Sequence, residues 1–188
     1  MFNWINALKL DWQNKESVQQ KISDKRISPF LFNEGSLTYY IQQHCKGEFN
    51  LELVSESWQA AMSDEIALLS LSDNEKTFIR KVRLKCDNQA LVYARTVIPE
   101  KTFSGKNKKL SCLGTNPLAD ILFKDENTYR ADMCYAKITV DCGLYKEATK
   151  DLDIISELWG RQSLFYTEQQ PLLITEIFLP SILECNKN

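Results

Sequence analysis

ELWGRQSLFYTEQQPLLITEIFLP, residues 157–180, reads as two strands joined by a tight turn. Alternate side chains of a strand share a face, so Leu172, Ile174, Glu176 and Phe178 point one way. Leu173, Thr175, Ile177 and Leu179 point the other. A two-residue turn at Glu168-Gln169 sets Arg161 opposite Glu176 and Phe165 opposite Leu172. An ionised carboxylate on an apolar strand face is costly unless it is paired, so Glu176 asks for a reason. Two readings stand side by side. The Arg161–Glu176 pair is an ion pair that holds the hairpin in register, or it holds Glu176 ionised for a ligand.

A second hairpin lies upstream, FIRKVRLKCDNQALVYARTVIP at 78–99. Phe78, Arg80, Val82, Leu84 and Cys86 form one face, apolar apart from the arginine, while Ile79, Lys81, Arg83 and Lys85 form the wetter one. With a two-residue turn at Asp87-Asn88, Cys86 opposes Gln89, Leu84 opposes Leu91, Val82 opposes Tyr93, Arg80 opposes Arg95 and Phe78 opposes Val97. Like charges directly opposed on one sheet face are destabilising, and two buried arginines need anions. A carboxylate-bearing ligand would supply them. A register shifted by one residue, or protein carboxylates, would remove the need for one, and the pattern weighs these equally.

The rest of the chain supplies strands and short helices. GEFNLELVSESW alternates Phe49, Leu51 and Leu53 against Glu48, Asn50 and Glu52, a half-buried strand. YRADMCYAKITV (129–140) reads as a further strand. Gly35-Ser36 is a helix start, with Leu37, Tyr40, Ile41 and His44 on one face. On that stripe His44 reads as a satisfied core histidine. In LGTNPLADILF, Gly114 turns the chain, Asn116 is the N-cap and Pro117 the first helical residue, which leaves the Leu118 N–H as a donor at a helix start. Trp4, Ile5, Leu8 and Trp12 are spaced as one helical face of an N-terminal arm. Asp64, Glu65, Asp73 and Glu75 read as a solvated face. Residues 141–158 read as a loop leading into a short helix.

Composition excludes several classes. The 188 residues are 44% hydrophobic and 26% charged, with 23 Lys and Arg against 25 Asp and Glu, so no excess positive charge points to nucleic acid or an anionic membrane. No window reaches membrane-spanning length, and MFNWINALKLDW lacks the pattern of a secretory leader. The six cysteines show no CxxC spacing and the single histidine offers no metal-ligand set, so reduced thiols in a cytoplasmic protein are expected, with no metal. No Walker loop, nucleophile elbow or dinucleotide-binding glycine pattern occurs.

SLTYYIQQ, the 78–99 hairpin, LGTNPLADILF, and LWGRQS followed by PLLITEIFLP together resemble the chorismate pyruvate-lyase family, in the family's order and from about residue 36 to 180. The resemblance implies an α+β fold, a single domain over 1–188 with residues 1–34 as an N-terminal arm, and an antiparallel sheet of about six strands with helices packed on it. It implies conversion of chorismate to 4-hydroxybenzoate and pyruvate, the first step of ubiquinone biosynthesis, without cofactor and with product inhibition. Position by position, the family's catalytic arginine and glutamate fall on Arg80 and Glu176. Its substrate-binding positions fall on Leu37 (a methionine in some members), Arg80, Leu118 and Glu176, with Arg95 and Arg161 in support. The expected partner is the small-molecule substrate chorismate, bound by a monomer with no nucleic acid and no membrane insertion. The long arm and the 141–158 stretch depart from shorter members and are expected to form or modify a cover over the site. The competing reading is a non-catalytic effector-binding module of the same fold, like the sensor domains of one transcription-regulator family; only some 35 residues precede the matching region, and they are not patterned as helix-turn-helix.

Overall fold

Two hairpins placed edge to edge organise the molecule. The computed structural model describes residues 10–72 and 74–185. Strands β1 (Phe49–Gln59), β2 (Thr77–Cys86), β3 (Gln89–Pro99), β4 (Thr128–Ile138), β5 (Leu158–Thr167) and β6 (Gln170–Phe178) form one six-stranded sheet in the order β1-β2-β3-β6-β5-β4. Every pairing is antiparallel. The β2–β3 and β5–β6 hairpins meet along β3 and β6, so these two strands are central and buried on both faces. The fold is α+β, as expected.

Short helices cover the two faces. On one face lie α2 (Ser28–Leu31), α3 (Leu37–His44) and α5 (Ala119–Leu122), and on the other α4 (Ser63–Leu69) and α6 (Gly143–Ala148). The five-residue α1 (Lys15–Gln19) precedes them, capped by the Asn14 side chain. Ser36 caps α3 by accepting from the Tyr39 N–H, so the Gly35-Ser36 start stands. Leu37 and Ile41, four residues apart, bury the same helix face against Phe30, Leu31, Leu84 and Phe178. His44 stacks on Tyr40 and its Nδ1 lies 2.8 Å from the Tyr40 carbonyl oxygen.

The β5–β6 register is as read from the sequence. Arg161 pairs with Glu176 and Phe165 with Leu172, and Glu168 and Gln169 both take positive φ, as a two-residue hairpin turn with the right twist requires. The β2–β3 register is not. Its turn begins as expected, with Cys86 opposite Gln89 and Lys85 opposite Ala90, but a bulge at Leu91 then shifts the pairing by one. Leu84 now opposes Val92, Arg80 opposes Thr96 and Lys81 opposes Arg95. Since side chains alternate with period two, one extra residue moves Arg95 to the face away from Arg80. The bulged residue is not left unsatisfied: the Leu91 carbonyl accepts from the Leu179 N–H at 2.9 Å.

Other expectations need correction. Glu65 is buried, with Oε2 accepting from the Met62 N–H and both oxygens accepting from Arg95 at 2.7 and 3.0 Å. The helix after LGTNPL starts at Ala119 with Leu118 as its N-cap residue, two positions later than expected, because Asn116 is engaged in the preceding turn through its N–H to the Leu113 carbonyl. Cys45 and Cys86 are joined in a disulfide across 41 residues, tying the end of α3 to the end of β2, so these two are not reduced thiols. Trp4, Ile5 and Leu8 lie outside the described residues, and Trp12 lies outside any helix, next to the Gln13–Tyr135 bridge.

Candidate active site

One apolar cavity lies on the sheet face beneath α3 and α5, with a non-atom space of about 540 Å³ including its mouth. Its floor is two transverse rows of the sheet. Val82, Ala94, Glu176 and Arg161 follow one another across β2, β3, β6 and β5; in the adjacent row Arg80 is followed by Thr96 and Ile174. Leu37 comes from the first turn of α3 and Leu118 from the start of α5. Arg80, Leu37, Leu118 and Glu176, distant in sequence, thus line one space. Arg80 and Glu176 stand two strands apart and one row apart, roughly 12 Å between backbones at ordinary strand spacing.

Arg80 is 2% exposed, and among the described residues no carboxylate forms a salt bridge with it. Its Nη2 donates to the carbonyls of Gly114 (2.9 Å) and Asn116 (3.1 Å), and its Nε is buried without an acceptor. Gly114 has φ +51°, the left-handed turn that aims these carbonyls at the guanidinium. Burial lowers the Arg80 pKa, and the charge of Glu56, its cross-strand neighbour, offsets this only in part. A cation with an orphaned donor at the wall of a cavity is a receptor for an anion.

Glu176 faces a different constraint. Its carboxylate is bonded by the Nε of Arg161, which is 1% exposed. Arg161 Nη1 also donates to the carbonyls of Asn33 at 2.6 Å and Phe30 at 3.4 Å. The arginine therefore ties the segment between α2 and α3 to the sheet while holding Glu176 at the cavity floor. On the other face Gly160 leaves room for Ile138: a Cβ there would come within 3.0 Å of Ile138 side-chain atoms and 3.5 Å of the Glu176 carbonyl oxygen.

Arg95 is not in the cavity. On the opposite face it is 3% exposed and held by Glu65, with Glu147 of α6 at 3.6 Å. Burial works against its charge, but the hydrogen bonds and charge of Glu65 outweigh it and raise the Arg95 pKa. The anions that the sequence required for this arginine are protein carboxylates. The 141–158 stretch lies on that same face, where Glu147 also accepts from Lys81 (2.9 Å) and Tyr93 (2.8 Å), so it does not cover the cavity. The cover comes instead from α3 and α5, joined by a Tyr39–Asp120 hydrogen bond, and no residue of the 1–34 arm lines the cavity.

One charged lining residue was missed in the sequence. Arg130, near the start of β4, reaches the cavity beside the edge-to-face pair Phe165 and Phe123, its guanidinium carbon 4.7 and 5.6 Å from their centroids. Only its position in a strand was legible. A β-bulge between Arg130 and Asp132 sets its direction, and nothing local marks that bulge. Among the described residues no cluster of His, Cys, Asp and Glu could hold a metal.

The family model described as chorismate lyase matches residues 7–187. A protein named probable chorismate pyruvate-lyase from Nitrosospira multiformis is 36% identical over 182 residues, covering 96% of this chain and 99% of that protein. One of the same name from Coxiella burnetii is 31% identical over 173 residues, covering 92% and 93%. Among solved structures, the effector domain of PhnF from Mycobacterium smegmatis matches with TM-score 0.56 at 11% identity, over 79% of this chain and 91% of that one. A second structure, the PhnF C-terminal domain, gives 0.57 at 11% identity, over 72% and 86%. At that identity the likeness is one of fold. By sequence along nearly its whole length, the chain belongs to the chorismate lyase family.

Proposed function

We propose that this protein is a chorismate pyruvate-lyase, cleaving chorismate to 4-hydroxybenzoate and pyruvate at the entry to ubiquinone biosynthesis, as a cytoplasmic monomer without cofactor. The observation that carries the reading is the convergence of Arg80, Leu118, Leu37 and Glu176 on one cavity. The sensor reading rests on fold alone, whereas the family match supports a lyase.

The reaction breaks the ether C–O bond at ring C3 and removes the C4 hydrogen as the ring becomes aromatic. The enolpyruvyl group leaves as pyruvate, its methylene gaining the hydrogen. Aromatisation drives the elimination, so the protein's task is to hold one conformer and favour the developing charge. Arg80, with the Leu118 N–H, grips the ring carboxylate, since a guanidinium fork suits a planar anion. Glu176, fixed by Arg161, bonds the 4-hydroxyl and stands beside the hydrogen to be moved. Leu37, Leu122 and Ile174 exclude water from the ring.

Arg80→Ala and Glu176→Ala should each remain folded and lose roughly 30-fold or more in kcat/KM, the scale of a buried charged contact at about 2–5 kcal/mol. Full turnover in either variant refutes the role given to that residue. A cavity that grips a planar acid beneath two helices also predicts slow release of 4-hydroxybenzoate and inhibition by it. A progress curve that stays linear with added product contradicts this.

A further inference from the structure

The charge of the cavity says more than the roles of Arg80 and Glu176 explain. Its charged lining residues are Arg80, Arg130, Arg161 and Glu176, so three cations face one carboxylate and two positive charges are left over. Arg161 is engaged by Glu176 and by two backbone carbonyls. Arg80 and Arg130 form no ion pair among the described residues, Glu56 beside Arg80 being outside the lining. A single ring carboxylate neutralises only one of them.

Arg130 has the geometry of a second receptor. Its guanidinium lies against the perpendicular rings of Phe165 and Phe123, its Nη1 donates to the Glu34 carbonyl at 2.5 Å, and its Nη2 lies 3.5 Å from the Gly35 carbonyl. The Nε is buried with no acceptor, the same orphaned donor found on Arg80. Burial first, and then the neighbouring charge of Arg161, lower its pKa, while Glu176 offsets part of this. Two guanidiniums therefore crowd the Glu176 end of the cavity, and only one of them is committed to Glu176.

We propose that Arg130 receives the second carboxylate of a dicarboxylate substrate, the one on the ether side chain, so that the cavity takes a dianion and releases two monoanions, the aromatic acid and pyruvate. This rests on the lyase reading and deepens it. In chorismate the ring carboxylate and the 4-hydroxyl are para to one another, and the ether carbon is next to the hydroxyl. With the ring carboxylate on Arg80 and the hydroxyl on Glu176, the side-chain carboxylate falls at the Glu176 end, where Arg130 stands. The aromatic product has lost that carboxylate with the pyruvate. Arg130 thus strengthens the hold on substrate and departing pyruvate, but not on 4-hydroxybenzoate. It is a specificity residue for charge number.

The test is calorimetric and needs no turnover. The probes are 4-hydroxybenzoate and 3-(carboxymethoxy)-4-hydroxybenzoate, a stable dicarboxylate with the ether beside the hydroxyl. Arg130→Gln should weaken the dicarboxylate roughly 30-fold or more and 4-hydroxybenzoate by less than about 3-fold. Arg130→Lys keeps the charge without the fork, and should weaken the dicarboxylate about 10-fold with the same sparing of the monoacid. It also serves if Arg130→Gln does not fold. Equal losses for both ligands, or no loss for either, overturn the proposal, since a residue that only tied the Glu34–Gly35 backbone would affect both alike. Chorismate turnover by the unaltered protein, measured alongside, reports separately on the lyase reading.

Discussion

Replacing Arg95 by methionine separates a structural arginine from a binding one. The side chain is 3% exposed, its partner Glu65 is 1% exposed, and two hydrogen bonds of 2.7 and 3.0 Å join them. Removing the arginine leaves Glu65 buried with only the Met62 N–H at 2.7 Å as a donor. Breaking one side of such a pair costs about 3–5 kcal/mol. The Met62 bond moderates the penalty, while Glu147, 28% exposed, turns to Lys81 and water at little cost, so the lower half of the range is expected. At about 2–4 °C per kcal/mol for a chain of this size, the melting temperature falls by roughly 6–16 °C. The assay is thermal denaturation followed by kcat and KM for chorismate on the folded fraction, where KM stays within about 2-fold of the unaltered protein. Glu65→Gln should reproduce the loss of stability. A KM raised 10-fold with an unchanged melting temperature would falsify the placement of Arg95 outside the site.

Three further outcomes are expected. Hydrogen bonds from Lys81 and Tyr93, with the charge of Arg95, outweigh the burial that would raise the Glu147 pKa and leave it lowered. Its contribution is thus present above the unfolded carboxylate value and lost as pH falls through the folded one; Glu147→Gln should lose about 1 kcal/mol near pH 7 and have a shallower decline of stability below about pH 4.5 in urea titrations, and an unchanged acid limb contradicts this. Burial pushes the Cys134 thiol up to about 12, whereas Cys112 is exposed, so iodoacetamide at pH 8 should label Cys112 and spare Cys134 in the native protein, with labelling of Cys134 at a comparable rate refuting its burial. Tyr39→Phe removes the Tyr39–Asp120 hydrogen bond between the two covering helices and should speed release of 4-hydroxybenzoate by roughly 2- to 10-fold in stopped flow, and an unchanged rate shows that this bond does not hold the cover closed.

What was legible in the sequence was what local rules control. The Glu168-Gln169 turn fixed the β5–β6 register by its length, so the Arg161–Glu176 pairing followed from counting residues. The same counting at Asp87-Asn88 held for two pairs and then failed at Leu91. No glycine or proline marks that bulge, and the bond that accommodates it comes from Leu179, far along the chain. Glu65 was misread for a related reason: its helix spacing is that of a surface residue, and only a tertiary partner on β3 buries it. Arg80 and Glu176 were legible because each is a lone charge on an otherwise apolar strand face. Arg130 sits among mixed polar residues near a strand start, and its place at the cavity depends on Phe123 and Phe165 from two other segments.

The most direct measurement is chorismate turnover by the purified protein in metal-free buffer, with pyruvate and 4-hydroxybenzoate followed separately. The account predicts equimolar appearance of both, with turnover lost on replacing Arg80 or Glu176. Tight binding of 4-hydroxybenzoate with neither product formed from chorismate would contradict the lyase and leave a sensor of aromatic acids.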